Sequence, residues 1–133
     1  MNSNSTGFTR LRSVGAVLAG LVVVAVLSIM GDQMFHMLGV YPPWGEPMLD
    51  TAHNLIAISY RVVFTVLGGY LAARLAPSAP VVHAIVLGCI GTVLGTLGAL
   101  GAWEMGMSPP WFLIAIVVTA LPCAWLGGWL YAR

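Results

Sequence analysis

The sequence predicts an all-α membrane protein, a four-transmembrane-helix bundle built from two tandem helical hairpins. Three observations predict it. Of the 133 residues, 59% are hydrophobic and only 7% are charged, against about 25% charged in an ordinary soluble domain. So little charge cannot cover a water-facing surface, and the apolar solvent must be lipid. Second, a bilayer crossing takes roughly 20 apolar residues, and four such runs with short turns use nearly the whole chain. No soluble domain of useful size fits beside them. Third, the chain repeats itself, as described below.

The first span is expected from about Val14 to about Leu38, with Asp32, Gln33 and His36 making its outer end amphipathic. Arg10 and Arg12 before an apolar run resemble a secretory signal, but Ser28-Ile29-Met30-Gly31-Asp32 offers no small-x-small cleavage site, so a retained span is expected. The loop Gly39-Val40-Tyr41-Pro42-Pro43-Trp44-Gly45-Glu46-Pro47 cannot continue a helix. Its Tyr41 and Trp44 suit the headgroup level, where amphipathic rings collect. Asp50 or Thr51 is the expected N-cap of the second span, which ends near Arg74. Ala76-Pro77-Ser78-Ala79-Pro80 is a tight turn, the third span covers about Val81 to Ala102, and a turn from Glu104 to Pro110 leads to the fourth, about Trp111 to Tyr131.

Charge sets the orientation. Arg10, Arg12, Arg74 and Arg133 fall at one side, and Asp32, Glu46, Asp50 and Glu104 lie toward the other. The positive-inside rule puts the arginine side, and with it both termini, in the cytoplasm of a multi-pass bacterial inner-membrane protein. With a net charge of +1 and no basic cluster, no nucleic-acid partner is expected.

Pro42-Pro43-Trp44 recurs as Pro109-Pro110-Trp111, Gly39 and Gly31 match Gly106 and Gly98, and Leu67-Gly68-Gly69-Tyr70-Leu71-Ala72-Ala73-Arg74 recurs as Leu126-Gly127-Gly128-Trp129-Leu130-Tyr131-Ala132-Arg133. The chain therefore reads as one four-span domain, residues 1–133, made of repeat 1 (about 12–76) and repeat 2 (about 80–133). Hairpins of the same topology are related by a pseudo-twofold axis along the membrane normal.

Helices in lipid gain nothing from burying apolar surface against each other, so close backbone approach must supply their association. Gly88, Gly91, Gly95, Gly98 and Gly101 follow one stripe of the third span. Gly68 and Gly69, with Ala72, Ala73 and Ala76, give the second span a small face, as Gly127 and Gly128 do for the fourth. These faces are expected to pack within a compact bundle. They also outnumber the contacts a minimal bundle needs, which leaves one for a second copy or another membrane subunit.

Arg61 is the most informative polar residue. It lies roughly 20 Å above the arginine side, inside hydrocarbon, where an unpaired charge costs at least a few kcal/mol. Asp32 and Glu104 are its candidate partners, within reach of a long guanidinium arm. A structural ion pair and a ligand or ion site are both open for it, the latter with His36, His53 and Asn54 nearby. The matching places in the second half are Ala120 for Arg61, Ala99 for Asp32 and Leu113 for Asn54, so the polar equipment belongs to the first hairpin.

Apart from Met1, the methionines Met30, Met34, Met37, Met48, Met105 and Met107 gather at the outer side with His36 and His53. Thioether and imidazole ligands suit Cu(I). Against that, no dense Met-x-x-Met array appears, and methionine also fills gaps between helices. A haem between His36 and His53 is a lesser alternative. His83 is expected at the interface, and Cys89 and Cys123, at similar depths, as small apolar residues. No nucleophile–base pair, phosphate loop or His-Glu metal motif is present, so neither enzyme nor cofactor is expected.

The first span lacks the embedded Glu of small multidrug transporters, and the third lacks the broken polar helix of fluoride channels. Gly-Gly-Tyr-Leu-Ala-Ala-Arg resembles segments of bacterial inner-membrane proteins and implies no activity. The leading expectation is a non-enzymatic accessory or interaction subunit, through self-association or in a larger membrane complex. The alternatives are a small transporter or channel with its site in the outer half of the first hairpin, and a periplasm-facing copper or haem site.

Overall fold

The computed structural model describes residues 3–133. The chain forms α1 (Ser3–Met37), α2 (Thr51–Leu75), α3 (Pro80–Glu104) and α4 (Pro110–Ala132). All four are long and apolar enough to cross a membrane. α2, α3 and α4 have 25, 25 and 23 residues, or about 35–38 Å at 1.5 Å per residue, just beyond a hydrocarbon core of about 30 Å.

α1 is longer than the span expected from Val14. Its 35 residues measure about 52 Å, because nothing before Gly39 breaks the helix and Gly7 and Gly15 stand clear of any neighbour. The extra turns carry Arg10 and Arg12 beyond the apolar stretch. Arg12 Nε donates to the Leu75 carbonyl oxygen at 3.3 Å, placing a cation on an orphan carbonyl at the C-terminal end of α2.

α1 and α3 end in the same way. Gly39 and Gly106 have φ of 74° and 65°, a conformation glycine adopts without a Cβ penalty. The amides of Val40 and Met107 donate to the carbonyls of Phe35 and Ala102, and those of Gly39 and Gly106 to His36 and Trp103, at 3.0–3.1 Å. Both ends are Schellman motifs, at the positions the repeat pairs. The N-cap of α2 is Asp50, whose Oδ1 accepts from the His53 amide at 3.1 Å. The outer loops are joined by the Met48 amide donating to the Met107 carbonyl at 2.9 Å.

Packing concentrates on α2 against α4, α3 against α4 and α1 against α2, and α1 and α4 bring no Cα atoms within 8 Å of each other. The repeated Leu-Gly-Gly segments are where α2 and α4 meet. A Cβ at Gly69 would overlap the Ala124 carbonyl oxygen, and one at Gly127 the Val66 carbonyl oxygen. Gly68 lies against Gly20 and Val24 of α1, and Gly88 and Gly128 against α4 and α3. An inner cluster of Val17, Ala72, Leu87 and Ala124 is buried on this contact. An outer cluster of Tyr41, Ala57, Phe112 and Leu113 closes the acidic end.

The glycine stripe of α3 departs from the expected packing. Only Gly88 is in close contact; Cβ atoms at Gly91, Gly95, Gly98 and Gly101 would meet nothing within 4 Å. The reason is the position of α1, which leans on α2 through Gly20 and Gly68 and touches α3 only sparsely. A groove remains between α1 and α3.

Candidate functional site

The groove has a volume of about 550 Å³, within the ordinary range for ligand pockets. It lies between the two packed clusters, with Leu87 at its inner end and Ile116 toward the outer one. Its walls are mainly apolar, with Ser28, Thr65 and Thr119 as neutral polar groups, and Val22, Ile29 and Leu94 on its rim are 58%, 62% and 57% exposed. The groove therefore opens sideways, onto the surface that faces lipid if the helices cross a bilayer.

Asp32 and Arg61 are the only charged side chains lining it. Arg61 Nη2 donates to Asp32 Oδ2 at 2.5 Å. Asp32 is thus the partner, and Glu104 lies exposed at the end of α3, outside the pair. Asp32 Oδ1 accepts from the Tyr60 hydroxyl, and that hydroxyl is 3.1 Å from the hydroxyl of Tyr41. Thr65 Oγ1 donates to the Arg61 carbonyl oxygen one turn away at 2.7 Å. The guanidinium is held through one nitrogen, and its Nε is buried without a hydrogen-bond partner.

The sequence placed Tyr41 at the headgroup level and did not single out Tyr60. Tyr41 is 4% exposed, which does not fit the headgroup-level ring expected of it, whereas Trp44 is 60% exposed. Its ring packs on Phe35 at 5.1 Å and its hydroxyl finds Tyr60. Burial pushes the Tyr41 phenol above its ordinary value, so it keeps its proton. Tyr60 stacks on Phe35 at 5.7 Å and packs over Gly31, where a Cβ would stand 3.1 Å from its ring. The available signal was a tyrosine beside Arg61 in an apolar run, since a buried phenol needs a partner.

Asn54 is fully buried, and its Nδ2 donates to the Met48 and Asp50 carbonyls at 3.0 and 2.8 Å. It faces the loop, not the groove, and clamps the proline-rich segment onto α2. Asn54→Ala is expected to lower stability by about 1–3 kcal/mol through loss of the two hydrogen bonds from its buried side chain, measured as a fall in the thermal midpoint of the purified protein.

His36 and His53 line a second cavity at the acidic end, about 780 Å³, with Met37 and Met48. His36 Nδ1 is 2.6 Å from the Pro42 carbonyl oxygen, which fixes that nitrogen as the donor and leaves Nε2 free. Trp44 covers its ring at 4.0 Å and donates through Nε1 to Gln33 at 2.9 Å. The Tyr41 ring touches both imidazoles, at 5.3 and 5.8 Å, so a haem held by the two would have to displace it. Met30, Met34 and Met105 are between 52% and 72% exposed and do not line that cavity. Among the described residues, no three His, Cys, Asp or Glu side chains converge. Cys89 and Cys123 are free thiols, and half-buried His83 places Nδ1 3.1 Å from the carbonyl of Ala79, the residue before α3.

The sequence matches no family model, and no curated protein or solved structure is similar to it.

Proposed function

We propose that this protein is a non-enzymatic, multi-pass inner-membrane subunit that receives a transmembrane helix of another subunit along the open face of α3. The carrying observation is the contrast among its glycines. Gly20, Gly68, Gly69, Gly88, Gly127 and Gly128 all sit against neighbouring helices, whereas Gly91, Gly95, Gly98 and Gly101 face open space. Small residues pack helices in lipid by letting backbones approach. Counted along α3, the open stretch from Gly91 to Gly101 covers about 15 Å and continues beyond the groove, whose lining ends at Gly95. A helix uses all of that length. The orientation in this reading has both termini cytoplasmic, supported by the arginines, with Arg12 drawn to the C-terminal end of α2 beside Arg74.

Native mass spectrometry of protein gently extracted from its own membranes tests the proposal. The expected result is a discrete assembly containing a second polypeptide, lost in Gly98→Leu, while the isolated variant keeps its thermal midpoint because its side chain meets open space. A bare monomer, or an assembly indifferent to Gly98→Leu, would refute it. A homo-oligomer broken by the same change would make the partner a second copy.

One observation favours a second reading, a small transporter or ligand-binding protein using the outer half of the first hairpin. An apolar groove with a charge pair on its wall and a buried, unpartnered guanidinium nitrogen is more than helix packing requires.

A further inference from the structure

Resting on that second reading, in which the α1–α3 groove is open to lipid instead of covered by a partner helix, we infer that the groove binds a single-chain amphipathic monoanion, whose head group takes the remaining donors of Arg61 while Asp32 takes up a proton. Three features of the groove lead there: its side opening, its apolar walls and its single cation. An alkyl chain entering from the lipid side lies against Val22, Ile29 and Leu94. The head then reaches the only positive charge on the lining, at Arg61.

Arg61 has donors to spare. A guanidinium offers five N–H groups in a planar fork, and Asp32 engages it through Nη2 alone. Nε is buried with no acceptor, but the side chain as a whole is 33% exposed, so an anionic oxygen in the groove takes a charge-assisted bond from the donors that remain.

The proton follows from charge balance. Arg61 and Asp32 together are neutral, so a bound anion adds one negative charge to an apolar site. Two anionic groups sharing one cation in low dielectric do not both stay ionised. One proton from solution binds Asp32 for each anion bound, and no covalent bond changes. The groups facing Asp32 are Arg61 and Tyr60 from α2 and, through Tyr60, Tyr41 of the outer loop. The groove walls from α3 and α4 contribute no titratable side chain. The two phenols also supply a route. Tyr60 directs its one proton at Asp32 Oδ1, so Tyr41 donates to Tyr60; a proton added at Tyr41 reverses the chain, and Tyr60 then accepts from protonated Asp32. Tyr41 lines the outer cavity, which sets the source of the proton at the acidic end.

The test uses a hexadecyl sulfonate carrying a nitroxide on its chain, added to the full-length protein in lipid nanodiscs. A sulfonate stays charged throughout the pH range, so proton uptake belongs to the protein. The expected result is a saturable, motionally immobilised spectral component and one proton taken up per molecule bound. Affinity should fall by about tenfold per pH unit wherever binding draws one proton from solution. Asp32→Asn should keep the immobilised component and lose both proton uptake and pH dependence. Arg61→Gln should lose the component, and so should Gly91→Leu, which fills the groove without touching the pair. Binding of the equally labelled alcohol as tightly as the sulfonate would overturn the inference while leaving the groove a ligand site. So would pH dependence that survives Asp32→Asn, or immobilisation of a labelled two-chain phosphatidate in place of the sulfonate. If none of the three amphiphiles is immobilised, the ligand-binding reading itself falls with it.

Discussion

Arg61→Ala is expected to destabilise the protein by about 3 kcal/mol at neutral pH, the scale for removing one partner of a buried ion pair. The side chains of Arg61 and Asp32 are 33% and 17% exposed, which places the effect at the lower end of that scale. The loss arises from the carboxylate left behind in the groove, more than from the contact itself. It follows that Asp32→Leu combined with Arg61→Met should recover most of the stability, because a well-packed apolar pair does not bury a charge. Reversible unfolding in mixed micelles, with both single variants and the double, separates these terms as a double-mutant cycle. If both single variants stay within about 0.5 kcal/mol of the parent, the range of an ordinary surface change, the pair contributes nothing to the fold. In a ligand assay, by contrast, the double variant should not recover, since its stable groove has no cation.

The second large effect is steric. Gly127→Ala is expected to cost more than the roughly 1–3 kcal/mol usual for an overpacked core, because the added methyl meets backbone rather than a side chain that turns aside. Its Cβ would overlap the Val66 carbonyl oxygen and stand 2.6 Å from the Tyr70 amide nitrogen. α2 and α4 would have to separate along their whole contact. Gly98→Ala, on the same helix-propensity scale, should stabilise the isolated chain slightly, since nothing lies within 4 Å of it. Thermal unfolding of the two variants side by side checks the contrast, and equal midpoints would contradict the packing described.

Much of this fold was legible in the sequence because four long apolar runs separated by proline-rich segments leave few alternatives. Length and hydropathy alone mark the four helices, and proline-rich segments mark their ends. The start of α1 was missed by about ten residues, since polar residues such as Asn4 and Arg10 end a hydrophobic span without ending a helix. The glycines show the harder limit. A stripe of small residues permits close approach but does not say which neighbour takes it, so Gly88 and Gly95 look alike in sequence and differ in surroundings. The site was legible in part. Arg61 and Asp32 announce themselves as charges in apolar runs, and the structure joins them. Tyr41 and Tyr60 escaped because aromatic residues in a membrane helix ordinarily read as packing or as interface anchors. Asn54 shared the polarity of the site residues, yet its bonds turn it toward the loop.

The central claim is that the open face of α3 is occupied by another helix in the membrane. A photo-reactive amino acid at Leu94, 57% exposed beside Gly91 and Gly95, probes that face directly. The same group at Met34, on the outward side of α1 and 52% exposed, is the control. Irradiation of intact cells should give a discrete protein adduct from position 94 and only lipid adducts from position 34. Lipid adducts alone from both positions would contradict the account.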